Sequence, residues 1–205
     1  MVTLDPARPL IICDADEVLL RFIEGLERFL ARNGFYLDLT SFRIHGNVKH
    51  RDTDEKAADD TVTQLVKDFF ASDTRHLEPV TGAAAALREL SNRAQIIILS
   101  NLPETSRDAR IDNLAEHGMS YPVIAGKGPK GTIVKDIVSG FSSSVVFIDD
   151  LPPHISSVAA ETPHVHRLHF IADPRLAKLL GPAPDAHRRI DDWPTAAAWI
   201  ASVIE

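Results

Sequence analysis

Four short runs of consecutive apolar residues punctuate the chain: Leu-Ile-Ile-Cys at 10–13, Ile-Ile-Ile-Leu at 96–99, the weaker Val-Ile-Ala at 123–125, and Val-Val-Phe-Ile at 145–148. They do not alternate with polar residues and are rich in β-branched side chains. Such runs predict strands buried on both faces, hence a parallel sheet covered by helices. The stretch 165–171 alternates through His166, Arg167 and His169, which predicts a more exposed edge strand.

Helical patterns separate these runs. Residues 82–93 carry an alanine run with Leu87 and Leu90, and residues 104–117 carry Ile111 and Leu114 before the stop signal His117-Gly118. Residues 131–138 set Ile133, Val134, Ile137 and Val138 on one stripe. Pro152-Pro153 suits a first helical turn, and Trp193-Pro194 opens a final helix with Trp199, Ile200, Val203 and Ile204. Strand–helix alternation of this kind predicts an α/β fold with a doubly wound parallel sheet.

The first 80 residues break that rhythm. A long amphipathic helix is expected directly after Asp16, with Val18, Leu19, Phe22, Ile23, Leu26, Phe29 and Leu30 at helical spacing, ending at Asn33-Gly34. A second is expected at 54–72, with no strand between the two. The domain reading is therefore an α/β core of residues 1–17 and 80–205, with a small α-helical insertion over 18–79.

Composition narrows the classes. With 205 residues, 44% hydrophobic and 25% charged, the chain buries a real core and is neither disordered nor collagenous. A net charge of −7 provides no global basic field, so neither a nucleic-acid polymer nor a membrane is expected as partner. Cys13 is the single cysteine and makes no internal bridge. The apolar run before Asp14 is too short for a signal peptide, and a cytoplasmic protein is expected.

In an open parallel sheet, active residues gather beyond the carboxyl ends of the strands. Asp14-Ala15-Asp16 follows the first run, Ser100-Asn101 the second, the loop Gly126-Lys127-Gly128-Pro129-Lys130-Gly131 the third, and Asp149-Asp150 the fourth. Clustered carboxylates need a cation, and hard oxygen ligands point to Mg²⁺. A hydroxyl and an ammonium beside such a site suit a phosphoryl group, and a carboxylate can attack phosphorus to form an acyl phosphate.

LIICDADEVL, IIILSN, GPKGTIVKDI and VVFIDDLPP, in this order, resemble the four motifs of the haloacid dehalogenase-like (HAD) superfamily. The nearest resemblance is to its phosphatases with a small helical cap between the first and second motifs. That resemblance implies a Rossmann-like core with Asp14 as nucleophile and Mg²⁺ ligand. Asp16 would be general acid–base, with its carbonyl on the metal. Ser100, Asn101 and Lys130 would bind the phosphoryl group, and Asp149 and Asp150 would complete the metal site. The implied activity is a Mg²⁺-dependent phosphatase acting on a small phosphorylated metabolite or nucleotide. The alternatives are a phosphotransferase, a phosphonate-cleaving relative, or a phospho-ligand-binding protein of the same fold. Asp16 favours phosphoryl transfer over dehalogenation, because dehalogenating relatives lack that carboxylate.

Two features depart from the family pattern. Glu17-Val18 stands where many phosphatases have Gly-Thr, and Leu-Pro-Pro-His follows Asp150 without a further acid. Lys130 is preferred to Lys127 because Gly131 and a helix follow it. The histidines 154, 164, 166 and 169 lack zinc-site spacing. The basic stretch 43–51 is expected to be a turn facing the strand ends, with Lys49 and Arg51 able to hold a second anionic group of the substrate.

Overall fold

The computed structural model describes residues 3–204, so residues 1, 2 and 205 of the expected core lie outside the described part. In chain order the elements begin with β1 (Leu10–Cys13), α1 (Phe22–Arg32), β2 (Phe35–Leu37), β3 (Val48–His50), α2 (Asp59–Ser72) and α3 (Ala83–Leu90). Next come β4 (Gln95–Asn101), α4 (Arg107–Glu116), β5 (Val123–Gly126), α5 (Gly131–Val138) and β6 (Val145–Asp149). The last are α6 (Pro152–Glu161), β7 (His166–His169), α7 (Pro174–Leu179), β8 (Arg188–Arg189) and α8 (Trp193–Val203).

The core is a six-stranded parallel sheet in the order β5-β4-β1-β6-β7-β8. The chain moves outward from β1 through β4 to β5, then returns to β1's other side at β6. The carboxyl end of β1 is therefore the switch point where such sheets open a crevice. Alternate strand residues serve the two faces. Leu10, Ile12, Ile97, Leu99, Val145 and Phe147 pack on α5 and α6 through Val134, Val138, Ile155 and Val158. Ile11, Cys13, Ile96, Ile98, Val146 and Ile148 belong to the opposite cluster with Leu87, Trp193 and Ile200.

That second cluster continues without a break into the inserted segment through Leu26, Phe29, Val62 and Phe69. Phe69 meets Phe22 edge-on, with ring centroids 5.2 Å apart at 89°, and Phe29 at 5.6 Å. The two passages of chain between insertion and core run side by side. Arg21 N donates to Glu78 O at 2.8 Å, and Val80 N donates to Leu19 O at 2.8 Å.

Several elements differ from the sequence reading. The first helix does not start after Asp16. Residues 17–21 form a tight turn in which Ala15 O accepts the amides of Leu19 and Leu20, and Glu17 has φ +56°, which interrupts a helix. The apolar Val18, Leu19 and Leu20 are core residues of that turn, so helical spacing overran the true start. The second helix starts at Asp59 rather than 54, after Asp54 at φ +62°.

The insertion also is not purely helical. β2 and β3 pair antiparallel, with Leu37 opposite Val48 and both buried. Strands of three residues are too short to leave an apolar run. Finally, β7 is not an edge: β8 covers it, and Arg167 and His169 are buried there. Arg167 is tolerated because its guanidinium donates to the carbonyls of Pro163, Val165 and Asp185.

Candidate active site

Register brings the strand ends together. Cys13 lies level with Ile98 of β4 and Ile148 of β6, so Asp14, Ser100 and Asp149 emerge at one edge of the sheet. The amide of Asp14 donates to Ile148 O at 2.9 Å, which extends the ladder one residue past β1.

Lys130 sits at the centre of this edge. Its Nζ is 2.7 Å from Asp14 Oδ1 and 2.7 Å from Asp149 Oδ2, and the residue is fully buried. Burial alone would lower its pKa, but the two carboxylates outweigh that and hold it above its ordinary value. Its placement depends on Gly131. A Cβ on Gly131 would stand 2.2 Å from Ser157 O of α6, so only glycine lets α5 start this close to α6. The exposed Lys127 takes no part.

Asp14, Asp149 and Asp150 each offer an oxygen within 4.8 Å of the others, and all three residues are buried. Asp149 is fixed by Leu151 N, which donates to its Oδ1 at 2.9 Å. Burial pushes Asp149 up to about 7 against the pull of Lys130. Asp150 is raised by burial and then by the charges of Asp149 and Asp14. Three buried carboxylates offering hard oxygen donors suit a divalent cation of Mg²⁺ type. The carboxylate of Asp16 stands apart from this group.

Asp16 Oδ1 accepts instead from Arg110 Nη1 at 2.7 Å. Arg110 is fully buried on α4, and its Nε and Nη2 have no partner among the described residues. Burial raises the Asp16 pKa, and Arg110 opposes the rise without cancelling it. Sequence reasoning missed Arg110, since nothing local separates it from the other charges of that helix.

Glu17 is the second residue whose role the sequence hid. It is buried at the site, with Oε1 accepting from Ile23 N at 2.7 Å and Oε2 from Asp173 N at 2.9 Å. Burial pushes its pKa up to about 7. Its φ of +56° is the backbone geometry that favours glycine. Here the two amide contacts hold a larger residue in that conformation.

Ser100 Oγ is buried without a partner among the described residues. Asn101 Nδ2 donates to Gly128 O at 2.9 Å and lies 3.3 Å from His154 Nε2, while Asn101 Oδ1 and His154 Nδ1 have no partner among the described residues. Burial and Lys130 hold His154 down to about 4, so its imidazole is neutral. His154 is thus part of the site, in a role other than the zinc ligation its sequence spacing excluded. His169 lies behind it: its Nε2 donates to Asp150 O at 2.9 Å and its Nδ1 accepts from Ala183 N.

A cavity of about 450 Å³ opens above these groups, with Asp14, Asp16, Asn101, Lys130, Asp150 and His154 at its floor. From the β2–β3 loop it is lined by Arg43 and His45, not by Lys49 or Arg51. Lys49 pairs with Asp38 at 2.9 Å, and Arg51 Nε donates to Phe35 O at 2.9 Å. The basic turn exists, but alternation along β3 turns its lysine away from the site.

No protein-family model matches the chain, and no curated protein matches it by sequence. Solved structures do. A conserved haloacid dehalogenase-like protein of unknown function from Agrobacterium tumefaciens superposes with a TM-score of 0.66 at 18% identity, covering 97% of this chain and 100% of the other. A HAD family hydrolase from Deinococcus radiodurans, solved with bound phosphate and sodium, gives 0.64 at 18% identity, covering 97% of each chain. CbbY from Rhodobacter sphaeroides, in complex with phosphate, gives 0.59 at 12% identity, covering 90% of this chain and 94% of that one. Among the described residues no helix is long and apolar enough to cross a membrane. By its match to these neighbours over nearly the whole chain, the protein has the haloacid dehalogenase-like fold.

Proposed function

We propose that this protein is a Mg²⁺-dependent phosphatase that hydrolyses a small phosphate monoester through an aspartyl phosphate on Asp14. The observation that carries the reading is the Lys130 ammonium clasped by Asp14 and Asp149 at the switch point, with Asp150 within reach. Asp14, Asp149 and Asp150, with the carbonyl of Asp16, would hold Mg²⁺, which would neutralise phosphoryl charge beside the carboxylates. The Deinococcus neighbour was solved with bound phosphate, which supports a phosphoryl ligand for a protein of this fold.

A carboxylate oxygen of Asp14 attacks phosphorus, forming an O–P bond as the ester P–O bond breaks. Asp16, whose burial favours its protonated form, gives its proton to the leaving oxygen. It then takes a proton from water, which attacks phosphorus and releases Asp14 and inorganic phosphate. Lys130 and Ser100 Oγ supply donors to the phosphoryl oxygens, and Ser100 Oγ is buried with no other partner among the described residues. Arg110 orients Asp16.

The test is phosphate release from 4-nitrophenyl phosphate by metal-stripped protein, with and without Mg²⁺. Release should require the metal and vanish in Asp14→Asn. Asp16→Asn should slow turnover by about 10²–10⁴-fold, and less on this activated ester than on an alkyl one. Equal rates with chelator would remove the metal, and near-normal rates in Asp14→Asn would remove the nucleophile.

A further inference from the structure

The walls of the cavity differ in kind from its floor. Phe22 and Ile23 of α1, Phe42 and Ile44 of the β2–β3 loop, and Val66 and Phe70 of α2 face it. Phe42, Ile44, Val66 and Phe70 are only partly buried, so each keeps apolar surface open. Covering that surface is favourable only for an apolar occupant. The other polar side chains in the lining are Glu17, whose carboxylate is taken up by Ile23 N and Asp173 N, Arg43, and His45, whose Nε2 lies 3.0 Å from Thr63 Oγ1. A sugar or polyol held here would set most of its hydroxyls against aromatic and aliphatic groups, with Arg43 and His45 as the polar groups of the wall.

The volume admits such an occupant. A void of roughly 150 Å³ is enough to hold benzene. The 450 Å³ present here therefore has room for a ring or branched chain together with a phosphoryl group at the floor. The carboxylates and Lys130 gather where the reacting phosphorus would sit, and the wall where the leaving alcohol would sit is apolar apart from Arg43 and His45.

We infer that the substrate is the monophosphate ester of a hydrophobic alcohol, aromatic or branched-aliphatic, rather than of a sugar or polyol. This inference rests on the phosphatase reading for the chemistry at the floor, and on the cavity walls alone for the selectivity.

The experiment separates the two. Benzyl phosphate and glucose 6-phosphate are both esters of primary alcohols, so neither gains from an activated leaving group. With Mg²⁺ present, kcat/KM for benzyl phosphate should exceed that for glucose 6-phosphate by at least about tenfold. Parity, or preference for the sugar ester, overturns the inference while leaving the phosphatase reading intact. Binding is measured in parallel by calorimetry with benzylphosphonate and 2,3-dihydroxypropylphosphonate, which carry no ester bond to cleave. Tighter binding of the benzyl compound supports the inference even if no ester turns over, an outcome that would instead defeat the phosphatase reading. Equal binding, or none by either compound, overturns it. Phe42→Gln, in a half-exposed loop position, should reduce the benzyl-over-polyol ratio in both assays by at least about fivefold. An unchanged ratio in a variant with a wild-type thermal midpoint counts against the apolar wall as the selector.

Discussion

The carboxylate of Glu17 accepts a hydrogen bond from the backbone amide of Asp173 at 2.9 Å, joining residues 156 positions apart. Its other oxygen takes Ile23 N in the first turn of α1. One side chain thus ties the turn after Asp16 to both the inserted segment and the loop before α7. Arg175 reinforces the junction by bridging Asp173 at 2.7 Å and Glu27 at 2.8 Å. Glu17→Ala should therefore leave two amides unpartnered and cost roughly 1–3 kcal/mol for each one that water does not reach. Urea unfolding measures this, and an unchanged midpoint would mean that the contacts contribute nothing.

The buried acids make stability depend on pH with a definite sign. Glu17 and Asp149 are each pushed up to about 7, so the native state binds protons that the unfolded chain releases near the ordinary carboxylate range. The stability they contribute is complete below that range and lost as pH rises through about 7. His154, held down to about 4, works in the opposite direction. Its effect ends near about pH 6.5, where the unfolded imidazole has lost its proton. In chelator, the thermal midpoint should fall between about pH 6.5 and about 8. Mg²⁺ should raise the midpoint most at the upper end, where the carboxylates are charged. A midpoint that rises over this window in chelator would contradict the assignment.

Arg110 makes its side-chain contact with Asp16 at 2.7 Å and lines no part of the cavity. It should act by positioning Asp16 and not by binding substrate. Arg110→Met should lower kcat by about 10–100-fold with little change in KM, and Arg110→Lys should recover part of the loss. A rise in KM at constant kcat would instead mean that this guanidinium meets the substrate.

The basic turn offers a contrast between neighbours. Lys49 and Arg51 are engaged by Asp38 and by Phe35 O, away from the cavity, whereas Arg43 lines its rim. Lys49→Ala and Arg51→Ala should leave KM unchanged for esters with or without a second anionic group. Arg43→Ala should raise KM severalfold for an ester bearing a distal carboxylate and leave the neutral analogue unaffected. Equal responses to both esters would remove Arg43 as a charge-reading residue.

The elements that the sequence placed well are those whose signal is local. An unalternating run such as 96–99 or 145–148 is apolar because both faces of the parallel sheet are covered. The polar residue that ends each run stands at the sheet edge because the strand stops there. Asp14, Ser100, Asp149 and the Lys130-Gly131 start of α5 were legible for this reason. The switch point that gathers them follows from strand order, which the run pattern implies only together with topology.

Other features depended on partners far along the chain. Arg110 meets Asp16 across 94 positions, and nothing near Arg110 marks which way its helix face turns. The positive φ of Glu17 is sustained by amides at 23 and 173, so its conformation belongs to the folded junction and not to the turn alone. β7 reads as an exposed edge from its histidines and arginine, yet β8 and the carbonyls around Arg167 bury it. Which side chains stand at the ends of the central strands can be read along the chain, because burial writes strand boundaries into local hydrophobicity. How those side chains are paired, supported and roofed depends on the fold, because buried charges are set by neighbours that packing brings from elsewhere in the chain.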